Sequence, residues 1–312
     1  MRRSIAILSV SALLALGLGF PQGASATVKC QRNPNTRVLS VTVTRSGPFL
    51  EEAVLHRVGT QIRVFEFLGL RVECRGNPTV TNTDQIKLYV GGLNEVTIGL
   101  NGGPLAPGAT PEPDGSPEIE ITARGSSGTY WLNGGAGADH FRYMSEAGRN
   151  GLNLNTGPGD EDLDLLVPPM AELYVEGRKG PDTIDVAPPV DLAVTAFGEA
   201  GDDILIGGPT GEVGEFNGAL LEGGAGRDRI IGSPLFDLIL PGAGADVVRA
   251  EGGADAIQMG RDRRRDRIDC GAGRDGVGRL RRGEAIRDPF DRFRSCERIS
   301  TAQPGEDPRQ FG

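Results

Sequence analysis

The sequence predicts an all-β chain, a parallel β-roll or β-helix solenoid with a small N-terminal β cap module, and three observations carry that expectation. Glycine supplies 48 of the 312 residues while aromatic residues are 5%, too few large side chains for a conventional core. Aspartates recur in phase: Asp228, Asp237, Asp246 and Asp255 are nine residues apart, each followed two positions later by Ile230, Ile239, Val248 or Ile257. Composition alone fits repeats or disorder, and the periodic β-branched residues decide for repeats.

The N-terminus reads as a leader. Arg2 and Arg3 precede an apolar run from Ile5 to Phe20, then Pro21 and the small residues Ala24, Ser25 and Ala26, an AxA cleavage site. Residues 1–26 are therefore expected to be a signal peptide and Thr27 the first mature residue. The paired arginines are followed by Ser4 and Ile5, a poor twin-arginine match, so the general secretory route is expected. Removing two arginines takes the formal charge from −9 to −11. The remaining 286 residues (312 less 26) hold no apolar segment long enough to span a bilayer, so the expected product is secreted, extracellular or envelope-associated.

From Cys30 to Cys74 the segments TRVLSVTVT, QIRVFEF and LRVEC alternate or run apolar in strand fashion. Residues 27–80 are read as a small disulfide-tied β module that covers the first coil, because an open coil end would add strands edge to edge. Four cysteines allow three pairings. The two local ones, Cys30 with Cys74 and Cys270 with Cys296, are expected because each brackets an end that must be closed off. A zinc site lacks both CxxC spacing and a nearby histidine. The stretch from Pro104 to Pro117 reads as a polar loop between coils.

The repeats occupy residues 81–278. GGAGRDRII (Gly223 to Ile231) fits GGxGxDxUx at every defined position, GGAGADHFR (Gly134 to Arg142) fits with Phe141 as the apolar residue, and GEAGDDILI (Gly198 to Ile206) fits with Glu199 replacing one glycine. The phase slips at Asp266 with Ile268 and returns at CGAGRDGVG with Asp275 and Val277. Earlier in the chain Glu161, Asp182 and Asp203 follow Asp139 at steps of twenty-one or twenty-two residues. Each interval holds a second alternating segment: Leu152 and Leu154, Leu173 and Val175, then Leu192, Val194 and Ala196. One coil is thus expected to contain two short strands.

Glycine permits the positive φ of a tight turn, and the aliphatic residue after the aspartate points inward from a short strand. One coil cannot bury that residue by itself, so coils stack and each is stabilised by its neighbours. Stacking also aligns the turns, so carboxylates and turn carbonyls of adjacent coils face one another. Such an oxygen-only cage suits Ca²⁺, which accepts six to eight oxygen ligands in flexible geometry.

GGAGADHF, GEAGDDIL and GGAGRDRI resemble the nonapeptides of the hemolysin-type (RTX) calcium-binding repeat family. That resemblance implies a right-handed parallel β-roll binding Ca²⁺ through sixth-position aspartates and turn carbonyls. Carried over by position, it implies Asp139, Asp203, Asp228, Asp246 and Asp255 as ligands, with Asp182 and Asp275 as further candidates. The stretch from Pro78 to Glu120 is similar to the leading coils of secreted actinobacterial proteins that carry such repeats. Three places depart from the pattern: Arg178 and Lys179 precede Asp182, Leu235 takes a glycine position, and arginines crowd Asp266. Coils of this kind are expected to keep the roll without the ion.

Residues 261–298 hold thirteen arginines against eight acidic residues, densest in RDRRRDR (Arg261 to Arg267). Because acids interleave, a solvated and self-paired face is expected rather than nucleic-acid binding. Residues 279–312 are read as a C-terminal cap and a disordered tail. No enzyme motif survives inspection. GAGRDG (Gly271 to Gly276) lacks a βαβ context, only His56 and His140 are available as histidine bases, and in DEDLD (Asp160 to Asp164) the required EF-hand glycine is Leu165. The expected function is a non-enzymatic, calcium-stabilised extracellular scaffold or adhesin, its partners calcium and a cell-surface or extracellular polymer. The alternative is a solenoid polysaccharide lyase or hydrolase.

Overall fold

A computed structural model of the chain describes residues 27–44, 52–66, 69–91, 94–110, 118–125, 127–146, 149–154, 163–169, 171–186, 193–208, 218–260, 262–279, 291–296 and 298–299. The expected leader, the acidic run at 160–162, the centre of the loop after Pro104 and the tail beyond Ser300 lie outside these residues. Among the described residues there is no helix. Within these residues the strands form one sheet of thirteen, a second of twelve and a two-stranded ribbon, Gly252–Gly253 with Ala272–Gly273.

The chain alternates between the two large sheets. Ala193–Ala200 lies in the second sheet, Ile204–Ile206 in the first and Leu220–Gly226 in the second again. Each coil therefore lays one strand in each sheet, paired in parallel and in register with the coils before and after. Register makes the apolar alternation continuous. In the second sheet Leu132, Val175, Ala196, Leu221, Ile239, Ile257 and Val277 lie side by side. In the first, Phe141, Ile184, Leu205, Ile230, Val248 and Ile268 do the same. All of these are buried and form one core between the sheets. Each large aliphatic member contributes about 1.5–3 kcal/mol.

The nine-residue phase does not stack consecutive nonapeptides on each other. Leu221 pairs with Ile239 eighteen residues on, and Ile230 pairs with Val248. Successive nonapeptides run in opposite directions, one passing from the second sheet to the first and the next returning.

One part of the expected coil pattern is corrected. Leu152 and Leu154 belong to Arg149–Leu154, which pairs antiparallel with His140–Glu146 in the same sheet rather than crossing to the other. That strand pairs antiparallel in turn with Leu165–Val167, which rejoins the parallel order against Glu120–Arg124. The Glu146↔Arg149 register closes a hairpin, and alternation has period two in either pairing direction, so it cannot distinguish them.

Residues 27–80 sit at one end of both sheets. Val38–Thr44 pairs in parallel with Gln85–Val90, and Glu52–Val58 with Glu95–Gly99. Beyond them, Thr27–Arg32 and Gln61–Glu66 are added antiparallel. Cys30 and Cys74 are bonded, with a Cα separation of 4.5 Å, beside this end, and Cys270 and Cys296 are bonded, at 5.2 Å, beside the other. A disulfide closing loops of 44 or 26 residues contributes on the order of 2–4 kcal/mol.

Candidate metal centre

Because the nonapeptides alternate in direction, their aspartates separate onto two edges of the roll. Asp139, Asp182, Asp203, Asp228, Asp246, Asp266 and Asp291 each immediately precede a strand of the first sheet. Asp237, Asp255 and Asp275 each precede a strand of the second. The residues expected as ligands thus form two columns rather than one.

Each column is a chain of side chain to backbone hydrogen bonds. The N–H of Asp182 donates to Oδ1 of Asp203 at 2.8 Å, that of Asp203 to Asp228 at 2.9 Å, that of Asp228 to Asp246 at 3.0 Å, and that of Asp246 to Asp266 at 2.9 Å. On the other edge the N–H of Asp237 donates to Asp255 at 2.9 Å and that of Asp255 to Asp275 at 3.0 Å. These bonds use one carboxylate oxygen per rung. The second oxygen, Oδ2, of Asp182, Asp203, Asp228, Asp246 and Asp255 is buried and accepts no hydrogen bond. A buried carboxylate oxygen without a donor is costly.

Glycine makes room for that oxygen. A Cβ at Gly198 would meet Oδ2 of Asp203 at 2.5 Å, and one at Gly223 would meet Oδ2 of Asp228 at 2.6 Å. Gly177 holds the same place before Asp182, where an added Cβ would also collide with Oδ2. Among the described residues no group of three or more acidic, histidine or cysteine side chains could hold a metal. An ion here would draw on one or two carboxylates and on turn carbonyls, the hard oxygen set that Ca²⁺ accepts. The orphaned oxygens and the glycine hollows fit such an ion.

Burial and mutual repulsion raise these carboxyls. Burial chiefly, with neighbouring aspartates adding to it, pushes Asp182 up to about 7, Asp228 up to about 6, and Asp246 and Asp255 up to about 8. Asp203 is raised for the same first reason. Each column thus has a choice near neutral pH between a proton and a cation.

Two rungs differ. Asp237 satisfies both oxygens internally: Oδ1 accepts from the N–H of Ala219 at 2.6 Å and the hydroxyl of Ser233 at 2.8 Å, and Oδ2 from the N–H of Ser233 at 2.6 Å. A serine does there what an ion would do elsewhere, in the nonapeptide that also carries Leu235. At Asp139, which is only half-buried, Oδ2 accepts from the N–H of Gly135 at 2.6 Å. Of the residues absent from the expected ligand set, Asp266 and Asp291 stand in the first column and Asp237 in the second. The phase slip hid Asp266. Sheet membership, which the sequence does not display, is what places Asp291.

The turn position held by Gly224 and Gly242 is taken by Glu199 and Arg178 in the coils before them, at φ +70° and +75°. Residues with a Cβ pay about 1 kcal/mol in that left-handed region. Glu199→Gly should therefore raise stability by roughly 0.5–1 kcal/mol, read as a higher urea midpoint at unchanged slope. A lowered midpoint would show that the Glu199 side chain contributes more than the strain costs.

Chemistry of other kinds finds less support. His56 and His140 stand in different sheets, and His56 stacks on Phe65 with centroids 5.0 Å apart. Trp131 and Tyr174 come together on the outer face of the second sheet, but they stack on each other at 4.3 Å, so those ring faces are already in use.

Residues 194–209, 220–234 and 237–262 match the RTX calcium-binding nonapeptide repeat, in four copies. The matched segments contain Asp203, Asp228, Asp237, Asp246 and Asp255, whereas Asp139, Asp182 and Asp275 fall outside them. The chain carries hemolysin-type RTX repeats, and such repeats bind Ca²⁺. No curated protein and no solved structure matches the chain.

Proposed function

We propose that this RTX-repeat chain is a secreted, non-enzymatic scaffold whose roll is completed by calcium at the aspartate columns. The observation that carries the reading is the row of buried Oδ2 atoms at Asp182, Asp203, Asp228 and Asp246, with a fifth at Asp255, each lacking a donor. Bound calcium would supply the positive charge these oxygens lack. The chain's own residues supply the rest: glycine hollows admit the carboxylates, the backbone N–H of the preceding rung orients each one, and the strands hold the rungs in register. Asp203, Asp228 and Asp246 are assigned the best sites, with Asp255 and Asp275 on the second edge. Asp182 is weaker because Arg178 and Lys179 precede it, and Asp139 is weaker because Gly135 already occupies its second oxygen. The two disulfides fit an oxidising compartment, which supports the secreted reading.

The test is thermal unfolding with chelator and with calcium, alongside calorimetric stoichiometry. Extracellular calcium modules bind at about 10⁻⁴–10⁻³ M, so the midpoint should rise over millimolar calcium. One site at a hundredfold excess over its Kd adds about 2.7 kcal/mol. Asp228→Ala and Asp246→Ala should each weaken the response more than Asp182→Ala does, and magnesium should replace calcium poorly because it demands compact octahedral geometry. An unchanged midpoint with no calcium bound would leave a metal-free solenoid and refute the proposal.

A further inference from the structure

Among the described residues, three acids interleaved with arginine in the C-terminal coils are taken up by backbone N–H groups. Asp262 accepts from the N–H groups of Gly244 and Arg264, and Asp266 and Asp275 accept from the N–H groups of the rungs before them. These three carboxylates turn to the backbone, which leaves Arg294 with Asp269 as one acid–arginine pair of the segment among the described residues.

Arg229, Arg267 and Arg292 share one outward register on the first sheet, with Val247 between the first two. Arg249 and Arg294 share the row two residues along, with Asp269 between them. All five arginines are exposed. Only Arg294 among them has an ion pair within the described residues, to Asp269 at 3.8 Å. At the usual strand spacing the row from Arg229 to Arg292 runs about 14 Å along the roll axis. A chain of net charge −9 thus presents an arginine-rich strip at one end of the first sheet.

We propose that this strip binds an extended polysaccharide bearing carboxylate groups. The guanidinium fork matches a carboxylate bidentately, which a lysine ammonium does not, and every cation of the strip is arginine. The rows follow the roll axis, so a linear polymer lying along them meets successive forks. The strip carries no aromatic ring for stacking a base and no element that enters a groove, which disfavours nucleic acid. The proposal goes beyond the calcium reading and names a partner for a different face.

The test uses short oligouronates as the probe, titrated calorimetrically into the full chain in millimolar calcium, with a neutral oligoglucan and duplex DNA as further ligands. Oligouronate should bind, weaken as salt is raised, and bind the triple variant Arg229→Ser, Arg267→Ser, Arg292→Ser about tenfold less tightly. An Arg71→Ser, Arg124→Ser double variant should bind like the parent. The substituted side chains are exposed, so unfolding midpoints should be unchanged and will show that each variant is folded. Equal binding by the triple variant, no binding by the parent, or tighter binding of duplex DNA at the same ionic strength would overturn the proposal. The calcium shift of the midpoint, read on the same samples, separates this failure from failure of the calcium reading.

Discussion

Gly244→Ala should lower the stability of the roll by about 2–5 kcal/mol, and Gly226→Ala by a similar amount, because each position combines backbone strain with an unrelievable overlap. The two glycines have φ of +153° and +151°, and an added Cβ at either would run into a backbone carbonyl of the coil before it, that of Gly226 or of Gly201. A side chain could rotate away; a carbonyl held in a parallel ladder cannot. Gly201 stands over Gly180 in the same manner, so the glycines form a column in which each coil allows its neighbour to approach. Domains are commonly stable by only about 5–15 kcal/mol, so one methyl group here removes a large share. Ala243→Ser, at an exposed position in the same turn, is the control and should change stability by less than about 0.5 kcal/mol. Denaturation with calcium held constant decides the matter. A Gly244→Ala midpoint equal to that of Ala243→Ser would mean that the coils are not packed as closely as described.

The second large effect is a pH dependence that calcium should reverse. Asp182, Asp228, Asp237, Asp246 and Asp255 lie at about 6 to about 8 in the folded chain, raised first of all by burial, against roughly 3.9 for an unfolded aspartate. The folded state therefore holds more protons than the unfolded state between about pH 4 and pH 8. Stability in chelator must fall as pH rises through that window, most steeply between the unfolded and the folded values, at about pH 5 to 6, and more gently as each folded value is passed. An ion that replaces those protons removes the loss, and its binding releases protons, so calcium should bind more tightly as pH rises. Thermal midpoints from about pH 5 to pH 8 should fall in chelator and stay level or rise in millimolar calcium. Asp246→Asn supplies the complementary sign: the amide resembles the protonated acid, so the variant should be more stable than the parent in chelator near pH 8 and less responsive to calcium. A chelated protein that gained stability with rising pH would contradict the buried, repelling columns.

Much of this architecture was legible in the residues. Gly223 to Ile231 alone specifies a positive-φ turn, an aspartate and an inward aliphatic residue, and the repetition of that unit demands stacking, since no single coil can bury Ile230. Two-strand coils follow from the alternating segments around Val175 and Ala196. The aspartates as oxygen donors were visible for the same reason, being the only side chains of their type in a fixed phase. What the sequence could not show is how a nine-residue unit distributes over two sheets. Neighbours in sequence, Asp228 and Asp237, go to opposite edges, while Asp228 and Asp246 become adjacent rungs. Nor could alternation reveal that Arg149–Leu154 turns back antiparallel, because inward and outward residues repeat every second position in either direction. The fate of each acid was equally hidden: Asp237 is satisfied by Ser233, Asp262 by backbone N–H groups, and Asp246 keeps one oxygen without a donor. Periodicity is a property of neighbours along the chain and so is written in the sequence. The donor to Oδ1 of a stacked aspartate comes from a residue about eighteen to twenty-five positions away, and only the stacking of coils brings it within hydrogen-bond distance.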